Sequence, residues 1–185
     1  MKQSVQNHFQ NLTCPSKQVQ YEAYQSIMDI LKKPVDWAYE VWDELVNELS
    51  SPDPHARSRA AQFLSRLSIS DPEKRIIRDF SSIWAVTYDE KFVTARHALQ
   101  EIWRIGLAGN KQFELVWSHM EERFKNCEGE KNFTLVRADL IQSIKSLSFY
   151  RNDDTRSLMV EEWIESIPDE KYRKKYWSIW RRKMT

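Results

Sequence analysis

The sequence predicts an all-α protein: a right-handed α-α superhelix (solenoid) of about four helix pairs with an N-terminal capping helix. The first observation behind this is a frame, small/apolar-Arg-x-x-apolar-x-x-x-apolar, that occurs four times. It reads Ala56-Arg57, Ala60, Leu64, Leu67; then Ala95-Arg96, Leu99, Trp103, Gly106; then Val136-Arg137, Leu140, Ile144, Leu147; and last Tyr172-Arg173, Tyr176, Trp180. Its arginines stand 39, 41 and 36 residues apart, close to the period of about 40 to 47 expected of two-helix solenoid units. The second observation is composition. With 41% apolar and 30% charged residues and 8 Trp in 185 residues, the chain can bury a core, and a single domain is the natural division.

Residues 1–16 are polar and end in Thr13-Cys14-Pro15-Ser16, which reads as a flexible N-terminal segment; residues 17–185 form the domain. Lys17 to Lys32 carries Val19, Ala23, Ile27, Ile30 and Leu31 at helical spacing behind Ser16 as a cap, and would cover the open end of the stack. Pro34 stops it. The first pair begins at Val35 to Leu49, with Ala38, Val41, Leu45 and Leu49 inward and five acids, Asp36, Glu40, Asp43, Glu44 and Glu48, without a cation. Asp53-Pro54 is a cap followed by proline at N1, where its missing N–H is no loss. The partner helix runs from Pro54 to Ile69.

Asp71-Pro72 repeats that cap, and Pro72 to Val86 should bury Ile77, Phe80 and Trp84, aligned with Ala38, Val41 and Leu45. Asp89 to Leu107 is its partner, closed by Gly106 or Gly109. In the third pair Trp117, Met120 and Phe124 fill the same places, with Phe133 to Leu147 as partner. The fourth has Leu158, Val160, Trp163 and Ile164, then Lys171 to Lys183. Trp84, Trp103, Trp117 and Trp180 fall on core positions, whereas Trp42 and Trp177 fit them less well.

From roughly Pro34 to Lys183 the chain resembles the HEAT-repeat α-solenoids. Their second helix typically opens Asp-x-x-Val-Arg-x-x-Ala, and Asp53 to Ala60 and Asp169 to Arg173 are similar to it; in the two middle units Phe92 and Phe133 stand in place of the acid. The resemblance implies an interaction scaffold whose second helices line a concave side. It also brings in HEAT-like DNA glycosylases for alkylated bases, and with them nucleic acid as an alternative partner.

Little points to catalysis. The histidines, His8, His55, His97 and His119, form no HExxH, and three glycines leave no phosphate loop. His97 and Glu101, four apart, are two ligands at most and read as a solvated polar pair. No cofactor, metal or enzymatic activity is expected. Cys14 and Cys127 lie far apart with no CxxC, which suggests free thiols in the cytoplasm. No leader-like or membrane-spanning run is present. A net charge of +1 argues against a wholly polyanion-binding surface.

The arginine column at 57, 96, 137 and 173 is expected to bond carboxylates or carbonyls of neighbouring segments. The outward positions of the second helices form the expected binding face: a polar row of Gln62, Glu101 and Gln142 beside a basic ladder of Arg66, Arg104, Lys145, Arg181 and Arg182, with His97 and Lys174 on the same face. The partner this face predicts is an acidic protein or peptide. The competing account is that cations near helix C-termini offset the macrodipole, for a few tenths of a kcal/mol each.

Overall fold

The computed structural model describes residues 1–184 and is all-α. Ten α-helices occur among the described residues: α1 (Gln3–Asn11), α2 (Lys17–Ile30), α3 (Ala38–Glu48), α4 (Pro54–Leu67), α5 (Arg75–Val86), α6 (Phe92–Glu101), α7 (Asn110–Asn126), α8 (Phe133–Arg151), α9 (Ser157–Glu165) and α10 (Glu170–Arg181). Short 3-10 segments follow α4, α6 and α7. α4 packs on α6, α6 on α8 and α8 on α10, while α3 lies against both α4 and α5.

Local chemistry sets the boundaries. Ser16 accepts the Val19 N–H at the start of α2, Asp53 accepts from His55 ahead of Pro54, and Asp169 accepts from Lys171 and Tyr172 at the start of α10. Asp71 departs from the expected cap. Lys74 takes a left-handed conformation (φ 58°) and the helix starts at Arg75, yet the Asp71 carboxylate still reaches the Ile76 N–H at 2.8 Å and the Tyr39 hydroxyl at 2.6 Å.

The late start moves the buried stripe of α5. Ile76, Phe80 and Ile83 are sealed in the core, and the expected Ile77 and Trp84 are only half-buried. Trp84 packs edge-on to His119 at 5.3 Å. Trp42, which fitted the core pattern poorly, is fully buried because Asp79 accepts its indole N–H at 2.9 Å. Leu158 is 75% exposed and takes no part in the core.

The N-terminal segment is also corrected. Residues 3–11 form α1 and not a loop, since Val5, Phe9 and Leu12 recur on one helical face and polar residues mask the pattern in a simple reading. Val5 and Leu12 are buried, and Phe9 packs edge-on to Trp37 and Phe63 at 5.9 and 6.0 Å.

The arginine column ties the chain together as expected of snorkelling side chains. Arg57 grips Asp89 through two nitrogens and Arg96 grips Asp139 likewise, each reaching into the following pair. Arg137 and Arg173 reach back toward the chain before their own helices, to the Phe124 carbonyl in the last turn of α7 and to the Ile167 carbonyl.

Candidate functional site: a groove without carboxylates

The expected basic ladder is taken apart by the fold. Arg66 is buried, forks onto Glu101 with two bonds of 2.9 Å, and donates a third to the Met28 carbonyl. Arg104 shares the same Glu101 at 2.5 Å, so that acid is held by two cations and cannot join His97 on a metal. No group of three or more metal-competent side chains exists among the described residues.

Lys145 is buried too, and donates to the carbonyls of Ile179 and Arg182 at the end of α10. Burial and the nearby Arg182 push its pKa below the usual lysine value. It thus satisfies carbonyls left open at the C-terminus of α10, a role distinct from offsetting the dipole of its own helix. Gln142 bonds Ser146 of its own helix at 3.4 Å, and Lys174 pairs with Glu170. Arg181 and Arg182 are exposed, with the Arg181 guanidinium 3.9 Å from the centre of the Trp177 ring. Of the expected cations, Arg66, Arg104, Lys145 and Lys174 are thus engaged within the protein.

Gln62 and His97 do come together, in company the sequence reading did not assemble. A groove of about 390 Å³ opens between α2, α4 and α6, lined by Lys17, Gln20, Tyr21, Tyr24, His55, Ser58, Arg59, Gln62 and His97. The α2 contribution, Lys17, Gln20, Tyr21 and Tyr24, has the spacing of one helix face, a signal present in the sequence but passed over because α2 read as an end cover.

A hydrogen-bond chain crosses the groove floor. The Tyr24 hydroxyl donates to Gln62 Oε1 at 2.7 Å, Gln62 Nε2 donates to the Ser58 carbonyl and hydroxyl at 3.0 and 3.1 Å, and Ser58 Oγ lies 3.4 Å from His97 Nδ1. Burial and Glu101 raise the Tyr24 pKa, so its phenol stays a donor. The outer edge of His97 meets solvent, yet desolvation on its inner side, and then Arg96, hold its pKa below the ordinary value.

No carboxylate lines this groove. Arg59 is half-buried, and its Nε is sealed from solvent without a hydrogen-bond partner. Every other buried or half-buried arginine among the described residues bonds an acid or a carbonyl, from Arg57 on Asp89 to Arg156 on Glu114 and Arg151 on the Gly106 carbonyl.

Comparison with known proteins adds no identity. The chain matches no protein-family model, and no curated protein sequence matches it.

A second depression, of about 420 Å³, lies between α6 and α8 and is lined by Asp89, Arg96, Arg123 and Glu130 among others. Most of its charges are engaged: Arg123 holds Glu130 and the Thr87 carbonyl, while Asp89 and Arg96 pair with Arg57 and Asp139. Cys14 and Cys127 are free thiols; Cys127 is buried, and desolvation pushes its pKa up, which leaves it unreactive. No helix among the described residues is long and apolar enough to cross a membrane.

Proposed function

We propose that this chain is a HEAT-like, right-handed α-solenoid scaffold that binds an acidic segment of a partner protein in the α2/α4/α6 groove and carries out no reaction. The observation that carries the reading is Arg59. Its Nε–H is buried without a partner, the groove lining holds no carboxylate, and Glu48 of α3 feels its charge without a hydrogen bond; the planar fork suits a carboxylate or phosphate supplied by a partner. The successive contacts of α4, α6, α8 and α10 and the two-pronged Arg57–Asp89 and Arg96–Asp139 links support the stacked-pair architecture. Two free thiols support a reducing compartment such as the cytoplasm.

An Asp/Glu-rich peptide carrying a fluorophore, titrated with the protein in anisotropy measurements, tests this. Arg59→Glu should weaken binding about tenfold or more, whereas Arg181→Glu at the far end should change it less than about twofold. Equal losses from both would mean that diffuse charge alone attracts the peptide. Displacement of the peptide by a short DNA duplex, with affinity falling steeply in salt, would overturn the reading in favour of nucleic acid.

A further inference from the structure

The groove holds more positive charge than one carboxylate can balance. Lys17 and Arg59 face it with the imidazoles of His55 and His97, and nothing negative lines it. On its floor Tyr24 is spent on Gln62, and Gln62 on Ser58, so the charge of a ligand is met by the cations. We propose that the group held here is the dianionic phosphate monoester of a phosphorylated peptide side chain, with His97 taking up a proton from solvent as it binds. This rests on the groove being the acidic-segment site argued above.

Charge and donor number favour phosphate. A phosphate monoester brings about −1.5 to −2 charges and three acceptor oxygens to one point near neutral pH, against one charge and two oxygens for an aspartate or glutamate. Arg59 has its buried Nε–H uncommitted, and an arginine fork engages two phosphate oxygens at once. An ammonium such as that of Lys17 acts on phosphate as a point charge. A groove of about 390 Å³ accommodates one such side chain with its flanking backbone more readily than an extended acidic run.

The floor of the groove supplies the proton link. Ser58 Oγ accepts from Gln62 and has its own hydrogen free to donate to His97 Nδ1, which suits a neutral imidazole. On protonation the 3.4 Å contact reverses: Nδ1–H donates, Ser58 accepts twice, and its hydroxyl hydrogen turns away. So long a bond gives up little in the exchange.

The charged groups around His97 leave it dependent on an incoming anion. Arg96 beside it on α6 and His55 on α4 oppose its charge, and Lys17 of α2 lines the same groove. Asp139 of α8 favours the charge but is gripped by Arg96, and Glu101, one turn on, is held by Arg66 and Arg104. A dianion in the groove reverses this balance. The complex then holds more protons than the free protein, so affinity must rise as pH falls.

Phenyl phosphate and benzoate, which share a ring and differ in head group, are suitable probes, followed through the histidine ring resonances in NMR titrations at about pH 6.5 and about pH 8, where the phosphate is mainly dianionic. The expected result is that phenyl phosphate binds at least about fivefold more tightly than benzoate and loses about threefold or more in affinity from the lower to the higher pH, with His97 moving toward its imidazolium shift. His97→Gln should keep phenyl phosphate binding at the higher pH but abolish the pH dependence, and Arg59→Ala should weaken both probes. Equal affinity for the two probes, or a pH dependence unchanged in His97→Gln, overturns the inference. Benzoate binding that responds to Arg59→Ala would then still support the acidic-segment site. Silence of both probes and of the Asp/Glu-rich peptide removes that site as well.

Discussion

Two sets of cations on the second helices look alike in sequence and differ in what the fold does with them. Arg66, Arg104 and Lys145 are consumed: two clamp Glu101 and the third closes the end of α10. Arg59, seven residues before Arg66 on the same helix, forms no ion-pair hydrogen bond, although its charge is felt by Glu48 of α3. Both kinds sit on helices with similar apolar stripes, so helical phase does not separate them. The difference is the presence of an acid across the gap. A cation serves the fold where the neighbouring helix offers a carboxylate or an open carbonyl, and is free for a partner where it offers neither.

The sharpest way to break this contrast is to remove a consumed cation. Arg66→Ala strips a buried guanidinium from Glu101 and from the Met28 carbonyl, and should cost about 3 kcal/mol in urea denaturation, the low end for breaking a buried pair because Arg104 remains on Glu101. A loss below about 1 kcal/mol would make Arg66 a surface charge after all. Lys145→Met keeps the aliphatic stem and deletes the donor to two helix-terminal carbonyls, so about 1 to 2 kcal/mol is expected. Hydrogen exchange should quicken selectively in the last turn of α10.

Acid titration sharpens the contrast from another direction. Asp79 and Asp89 are both desolvated, but Arg78 and Trp42 on the first, and Arg57 on the second, bring their pKa values below the carboxylate norm. Their stabilisation is complete above the unfolded value of about 3.9 and fades as pH falls through the lower folded values. His97 acts in the same direction on acidification, but at a higher pH. Its pKa is lowered in the fold, so below about 6.5 the unfolded chain binds the proton first and stability declines as pH drops. His97→Gln should remove that gentle slope near pH 6 from thermal melts while leaving the steep loss at lower pH. The smallest effect belongs to Arg59→Ala, which should shift stability by no more than about 0.5 kcal/mol while it reduces ligand binding.

How far the sequence could be read follows from the same distinction. Helical phase and cap chemistry placed nine of the ten helices, because Asp53, Ser16 and Asp169 act within a few residues of themselves. α1 was missed because its apolar face holds only Val5, Phe9 and Leu12 among amides and becomes a face only against Trp37 and Phe63. The inward set of α5 kept Phe80 but exchanged Ile77 and Trp84 for Ile76 and Ile83, on a helix whose start Asp71, held by the Tyr39 hydroxyl, and the left-handed Lys74 delay. Trp42 was undervalued for a similar reason: its partner Asp79 is 37 residues away. Of the candidate site, Gln62 and His97 were found from phase alone. Arg59, His55 and the α2 residues were not, since a groove between three helices is a property of their packing.

Gly106 has a mechanical consequence of its own. A methyl group there would stand 2.8 Å from Leu147 Cδ1, and Leu147 is fully enclosed, with little room to swing aside. Leu147 lies two residues beyond Lys145 on α8, so a wedge at Gly106 bears on the same stretch of helix that seals the end of α10. The seating of the last helix is therefore geared to the thickness of a side chain that is missing two helices away. Gly106→Ala would transmit its displacement along α8 as through a rigid rod and loosen a terminus it never touches.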